Sequence, residues 1–158
     1  MLGSLTFKID FGWACHAPPP RNERTTLCGT PEYVAPEMLT VKKYDNKCDN
    51  WSIGVLAYEM VIGRTPFFIK KSKKYDDLDA RAAKKKLNAA IFEKVKAFTS
   101  VEDSVIEHFL SNQTSAFRHF IRNVLKAQPT NRLSIDSILK LQWLNVCWNN
   151  SSETSNIK

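Results

Sequence analysis

The clearest pattern in the chain is a run of apolar residues that begins near residue 49. Its apolar positions have helical spacing but lie nearly all round the helix: Trp51, Ile53, Val55, Leu56, Tyr58, Met60, Val61 and Ile62. Asp49 or Asn50 is suited to cap its start, and Gly63 to end it. A helix that is apolar on every side is normally buried on every side, so we expect this one at the centre of its domain.

Three later segments have the spacing of amphipathic helices. The first covers residues 78–98, which are rich in Ala and Lys. The second contains Phe117, Phe120, Ile121, Val124 and Leu125, and Pro129 closes it. The third opens at the N-cap Ser134 and contains Ile135, Ile138, Leu139 and Leu141. Together with the central helix, these segments predict a mainly α fold.

The two ends of the chain and the segment before the central helix have other patterns. Residues 5–9 alternate apolar and polar positions, which predicts a short strand. Prolines at 18–20 and 31 exclude a regular helix from residues 14–36, and loops of this length are usually functional or disordered. The polar residues 149–158 are expected to form a disordered tail.

Composition narrows the class of protein. A chain of 158 residues that is 43% hydrophobic can bury one sizeable core. Four well-separated cysteines without a Cys-x-x-Cys pair favour free thiols in a reducing compartment. No run approaches the roughly 20 apolar residues that span a bilayer. We therefore expect an intracellular protein, in the cytoplasm or nucleus, with no membrane partner.

The net charge of +7 concentrates in two basic clusters, at residues 70–74 and 84–86. The acidic run of Asp76, Asp77 and Asp79 lies between them. Such alternation is typical of a solvated surface of mixed charge. Nucleic-acid binding is the less favoured interpretation, because only the positive charge of these clusters supports it.

Four motifs occur in the order that they have in protein kinases. They are Asp-Phe-Gly at 10–12, Ala-Pro-Glu at 35–37, Asp-Asn-Trp-Ser-Ile-Gly at 49–54, and Arg132 in Pro-Thr-Asn-Arg at 129–132. A single tripeptide is weak support, but four in order are strong. The chain thus resembles the helical C-terminal lobe of a serine/threonine protein kinase from its Asp-Phe-Gly motif onward. Trp13, the sequence Arg-Thr-Thr-Leu-Cys-Gly-Thr at 24–30 and the ending Leu-Gln-Trp-Leu at 141–144 are similar to the Aurora group.

The resemblance implies a domain organisation and a function. Residues 1–148 would form a partial kinase domain, with a strand and the Asp-Phe-Gly motif at 1–13, an activation segment at 14–37 and a helical subdomain at 49–148. The implied activity is ATP-dependent phosphoryl transfer to Ser or Thr of proteins. ATP and Mg²⁺ are the implied cofactors, and protein substrates or a regulatory protein are the implied partners.

The resemblance also assigns roles to single residues. Asp10 matches the aspartate that binds magnesium and ATP, and Thr26, or else Thr25, matches the threonine whose phosphorylation activates such kinases. The residues that match the wall receiving the substrate are here called the substrate wall: Gly29, Thr30, Pro31, Glu32 and Tyr33. Three residues are assigned structural roles. Glu37 and Arg132 are expected to form a buried ion pair, and Asp49 is the third.

Several alternatives stay open at this point. Ile9 precedes Asp10 directly, one residue short of the family's spacing, and a one-residue loss turns each following strand side chain to the other face. Asp10 is therefore either a metal ligand or an exposed turn residue. The two threonines are either regulatory or ordinary loop residues, and Cys28 is either a redox-sensitive thiol or an ordinary small residue.

The chain lacks other parts that kinase chemistry requires. It contains no Gly-rich phosphate loop and no His-Arg-Asp sequence, so no catalytic residue is assigned. We expect these 158 residues alone to transfer no phosphate. The alternative function is a non-catalytic interaction module derived from a kinase.

The resemblance has a consequence for stability. In kinases, helices that precede the Asp-Phe-Gly motif cover part of the central helix. A face containing some of Ile53, Leu56, Met60 and Val61 is therefore expected to lack cover. Each exposed large apolar side chain forfeits roughly 1.5–3 kcal/mol, so a marginally stable, aggregation-prone or partner-dependent chain is expected.

Overall fold

The computed structural model describes Gly12 and residues 14–16, 23–41, 43–70, 79–101 and 105–145. Six α-helices account for most of these residues, which confirms the mainly α fold. They are α1 (Pro36–Thr40), α2 (Lys47–Ile62), α3 (Ala80–Lys96), α4 (Val105–Leu110), α5 (Ser115–Val124) and α6 (Ile135–Ile138). Short 3-10 helices occupy Pro31–Tyr33 and Pro129–Asn131. The predicted strand at 5–9 and the predicted tail at 149–158 lie outside the described residues.

The central helix α2 begins earlier than its sequence pattern predicts. Neither Asp49 nor Asn50 is its N-cap, because the helix already starts at Lys47. The Asp45 carboxylate accepts the backbone N–H of Lys47 at 2.9 Å and so satisfies a donor at the helix start. Asp49 instead lies in the first turn, where a negative charge is favourable. Gly63 ends the helix as predicted, with a left-handed φ of 81°.

One side of α2 forms the centre of the core. The ring of Trp51 stacks on Phe67 with a centroid distance of 5.5 Å and meets Phe98 edge-on at 5.4 Å. Helix α5 packs close to the same helix at Gly54, where a Cβ would lie 2.8 Å from Cδ2 of Leu125. Glycine is therefore required here by the close approach of two helices.

The opposite side of α2 is exposed, so the prediction that the helix is buried on every side is wrong. Leu56, Met60 and Val61 are 48%, 74% and 38% exposed. These residues belong to the face that was expected to lack cover, and Ile53 is half-buried beside them. We call Leu56, Met60 and Val61 the exposed apolar face.

The later helices differ from their predicted bounds. Helix α3 ends at Lys96 rather than at residue 98, and the Asp79 side chain caps its start by accepting from the backbone N–H groups of Arg81 and Ala82. Helix α4 has no counterpart in the predictions. Ser134 caps α6 as predicted, but that helix is only one turn long and leaves Leu139 59% exposed.

The segment predicted to be the activation segment contains a single β contact among the described residues. Arg24 and Tyr44 form an antiparallel bridge, with N···O distances of 2.7 and 3.0 Å. The bridge connects the segment to the loop before α2.

No described helix has the length and apolar character needed to cross a bilayer.

Candidate functional site

The central feature of the site is a buried ion pair between Glu37 and Arg132. The two carboxylate oxygens accept from the two terminal guanidinium nitrogens at 2.7 and 2.6 Å. Both side chains are almost fully buried. Such a two-point contact fixes the relative orientation of its partners as well as their separation. The residues for which an ion pair was expected are therefore brought together, although 94 residues separate them in the chain.

Arg132 satisfies all five of its N–H donors within the described residues. Besides the two bonds to Glu37, it donates to the backbone carbonyls of Lys126 at 2.7 Å, Lys47 at 2.9 Å and Ala127 at 3.1 Å. Its guanidinium also lies over the Trp51 ring, 5.1 Å from the centroid. Since one side chain joins α1, the start of α2 and the segment after α5, Arg132 anchors the activation segment to the helical core.

The substrate wall is joined through the chain to the Glu37–Arg132 ion pair. Gly29 has a φ of 106°, a left-handed conformation that favours glycine even though the space around it is open. Residues Pro31–Tyr33 then form the 3-10 helix, whose proline stands at the first position. After Val34 and Ala35, Pro36 begins α1, which carries Glu37. The ion pair thus fixes one end of the wall.

Two contacts that sequence reasoning missed fix the other side of the wall. The Tyr33 hydroxyl donates to the Glu59 carboxylate, and the Thr65 hydroxyl donates to the Glu32 carboxylate. Burial, and then the hydrogen bond to Glu59, raise the pKa of Tyr33 to about 12. Neither Glu59 nor Thr65 lies in a motif, so only the position of the end of α2 against the wall could reveal these pairs.

A cavity of about 510 Å³ lies between the activation segment and the start of α2. Its lining includes Gly29, Thr30 and Tyr33 of the substrate wall, together with Cys28 and Asp49. Ser52 of α2 also lines the cavity, and its hydroxyl donates to the Tyr33 carbonyl at 3.1 Å. The structure therefore brings the substrate wall and the first turn of α2 to one concave surface.

The two candidate regulatory threonines stand outside this cavity. Thr25 and Thr26 are exposed, and the Tyr44 hydroxyl donates to the backbone carbonyl of Thr26. Arg24, which is half-buried, lines the cavity next to them. Both threonine hydroxyls are thus accessible from solvent on a segment whose backbone is held by Tyr44.

The three described cysteines have different surroundings. Cys15 is exposed, whereas Cys28 and Cys48 are half-buried. Burial raises the pKa of the Cys48 thiol to about 12, and the nearby carboxylates of Asp49 and Glu37 act in the same direction. Cys48 is therefore held in its neutral, unreactive form.

Asp10, the candidate ligand for magnesium and ATP, lies outside the described residues. Within the described part of the chain, no three His, Cys, Asp or Glu side chains are grouped closely enough to hold a metal ion. The carboxylate of Asp49 is exposed at the cavity edge, beside the Cys48 thiol.

Comparison with known proteins agrees with this architecture. The family model described as "Protein kinase domain" matches residues 5–144. The chain therefore belongs to the protein kinase domain family.

Its relatives include several Aurora kinases. It is 33% identical over 135 residues to an Aurora kinase of Schizosaccharomyces pombe and 35% identical over 135 residues to one of Patiria pectinifera. In each case the match covers 85% of this chain but only 31% and 27% of the relative. An Aurora kinase A-B of Xenopus laevis is 55% identical over 58 residues, 37% of this chain and 14% of the relative. These matches confirm the Aurora-like character that the sequence motifs indicate. The chain spans less than a third of the length of these relatives.

Proposed function

We propose that this chain provides the activation segment and substrate-binding lobe of a protein kinase that transfers the γ-phosphoryl group of ATP to Ser or Thr of proteins. The observation that carries the proposal is the Glu37–Arg132 ion pair, which holds residues 29–37 against the helical core. Phosphoryl transfer depends mainly on positioning and charge neutralisation. A rigidly anchored wall beside an open cavity is suited to positioning a protein substrate.

Regulation by phosphorylation is the second part of the proposal. Thr26 is the favoured site and Thr25 the alternative, since both are exposed in the activation segment. A phosphate would add about −1.5 to −2 charges and could pair with Arg24 beside it. The protein is expected to act inside the cell, on protein substrates or together with a regulatory protein.

ATP and Mg²⁺ are the cofactors that the family generally uses. Asp10 would contribute a carboxylate to the magnesium ion, and magnesium sites normally require further oxygen ligands. Where several catalytic groups act as a unit, loss of one of them removes most of the reaction rate. These 158 residues by themselves, without a His-Arg-Asp sequence, are therefore expected to transfer no phosphate.

The alternative is a non-catalytic interaction module, which the exposed apolar face of α2 favours. One experiment separates the two functions. An antibody raised against this chain captures the natural protein from its own cells, and the captured protein is incubated with radiolabelled ATP, Mg²⁺ and a panel of Ser/Thr peptides. Its intact mass is measured in parallel.

The kinase proposal predicts transfer to the peptides by the captured protein, and none by the purified 158-residue chain. Absence of transfer together with an intact mass of 18.1 kDa would establish the module instead. Turnover by the purified chain that disappears on Asp10→Ala would contradict the expected inactivity of the chain alone.

A further inference from the structure

A second cavity, separate from the first, lies where the ends of α2 and α3 meet. Its volume is also about 510 Å³. We call it the basic groove and define it by Arg64, Phe68, Lys94, Phe98, Ile106 and Phe109, all of which line it. Five of its eleven lining residues are aromatic, and two are cationic.

Neither cation of the groove forms an ion pair with a carboxylate in the described part of the chain. No carboxylate of the described residues lies within salt-bridge distance of Arg64 or Lys94. The Arg64 guanidinium stacks over the Phe109 ring at 4.4 Å, and the Lys94 ammonium donates to the carbonyls of Pro66 and Phe68, each at 3.2 Å. Desolvation lowers the pKa of Lys94, as does, to a smaller extent, the positive charge of Arg64, while the Glu32 carboxylate acts in the opposite direction. Arg64, which stacks on Phe109 rather than on a carboxylate, is therefore the positive charge that an anionic group would neutralise.

Part of the groove's apolar lining is exposed. Phe68 is 43% exposed, although Phe67 beside it is buried in the core. A large apolar side chain placed against Phe68 would remove this surface from water, which is favourable in proportion to the area buried. The groove thus offers an apolar contact beside a cationic one.

The groove is continuous with the substrate wall. Thr65, which also lines the groove, donates its hydroxyl to Glu32 of the wall. Helix α3, which carries Lys94, packs against the 3-10 helix of the wall. A polypeptide lying along the wall can therefore extend into the groove, whereas an isolated lipid tail would gain nothing from this continuity.

We propose that the basic groove docks a short segment of a partner protein in which a large apolar side chain stands next to a carboxylate. The apolar side chain packs on Phe68 and Phe98, and the carboxylate pairs with Arg64. The view of this partner as a kinase substrate rests on the proposed function, whereas the docking itself does not.

The test is a titration of the full 158-residue chain into a fluorescein-labelled peptide, followed by fluorescence anisotropy. The peptide has a central Phe-Asp-Phe and contains no Ser, Thr or Tyr, so binding cannot depend on phosphoryl transfer. A matched peptide replaces the Asp with Lys. Arg64→Glu reverses the charge in the groove, and Arg81→Glu makes the same change in net charge at an exposed position of α3 outside it.

The wild-type chain is expected to bind the Phe-Asp-Phe peptide, and Arg64→Glu to weaken binding on the order of tenfold, while Arg81→Glu stays within about twofold. Ala97→Trp, which fills the groove from an exposed lining position, is expected to abolish binding. Circular dichroism verifies that each variant keeps the helical content of the wild type.

The proposal is overturned if the peptide does not bind, if both charge reversals weaken it equally, or if the Lys peptide binds as well. It is also overturned if the peptide does not bind but a dansylated fatty acid does, and if Ala97→Trp abolishes the binding of that fatty acid. If the captured natural protein transfers no phosphate but the peptide binds as described, the docking proposal is supported and the proposed kinase function is contradicted.

Discussion

Cys48 illustrates how a single residue of this site is controlled by its surroundings. Its thiol lies in the first turn of α2, 3.7 Å from a carboxylate oxygen of Asp49. Burial is the largest cause of its raised pKa, which is about 12 against an ordinary value of 9.0. In the unfolded chain the same thiol would ionise near its ordinary value, so folding and ionisation are linked.

This linkage predicts a pH dependence of stability. Below about pH 9 the thiol is neutral in both states, and its contribution to stability is fully present. As the pH rises from about 9 towards 12, only the unfolded state loses the proton, so the free energy of unfolding falls. Urea denaturation of the wild type and Cys48→Ala at a series of pH values measures the effect. Because the other titrating groups are common to both proteins, a steeper fall in the wild type is expected. Parallel curves would contradict it.

Residue-level contacts could be predicted from sequence only where a motif joined the two partners. The resemblance to kinases paired Glu37 with Arg132, and the structure brings them together. The contacts of Tyr33 with Glu59 and of Glu32 with Thr65 could not be predicted. They depend on how the end of α2 lies against the wall, which no local pattern encodes.

At the scale of elements, the contact of α2 with α5 depends on Gly54. A Cβ at this position would meet Cδ2 of Leu125 at 2.8 Å, and Cγ of Leu125 and Cγ1 of Val124 at 3.0 Å each. Both neighbours are fully buried and have little room to move. The glycine of the Asp-Asn-Trp-Ser-Ile-Gly motif is thus explained by helix packing.

Gly54→Ala is therefore expected to destabilise the protein. Alanine gains about 1 kcal/mol of helix propensity, but overpacking a core typically costs about 1–3 kcal/mol, so a net loss of roughly 1 kcal/mol is expected. Urea denaturation measures this change. In a Leu125→Ala background only the 3.0 Å approach to Val124 remains, so the loss caused by Gly54→Ala should be clearly smaller. The same loss in both backgrounds would show that Leu125 is not the obstacle.

The existence of the elements was easier to predict than their bounds. The long apolar run predicted α2, and Gly63 predicted its end. The predicted start was wrong because the helix already begins at Lys47, with Asn46 at the N-cap position and the Asp45 carboxylate accepting the Lys47 N–H. Helix α4 is only six residues long, too short to give a clear periodic pattern. Helix α6 stops after one turn although apolar residues continue beyond it.

At the scale of the whole molecule, α2 has one side in the core and the other in solvent. Ile53, Leu56 and Met60 recur at helical spacing, so they share one face. Leu56 and Met60 are about half and three-quarters exposed. Surfaces of this kind mark contact with another polypeptide or a tendency to aggregate.

We expect the isolated chain to self-associate through this face. Met60→Lys should reduce association, measured by light scattering, and change the free energy of unfolding by no more than about 0.5 kcal/mol. Val41→Lys, at a position that is 68% exposed but off the face, is the matched control and should leave association unchanged. A wild-type chain that stays monomeric and melts cooperatively above about 60 °C would contradict the expectation.

The sequence predicted the fold class and family of the molecule, and it named the residues whose exposure leaves α2 half-covered. It could not predict the basic groove. Arg64, Lys94 and Phe109 come from three separate segments, and only the packing of α2, α3 and α4 brings them to one surface.

The account as a whole depends on the anchor between Glu37 and Arg132. A double-mutant cycle with Glu37→Gln and Arg132→Met, measured by urea denaturation, tests it most directly. Truncating one partner of a buried ion pair costs about 3–5 kcal/mol, because the other charge is left buried without its partner. Each single substitution is therefore predicted to cost about that much, and the double substitution little more than either. Independent, additive losses, or single losses below about 1 kcal/mol, would contradict the claim that this pair holds the activation segment on the helical core.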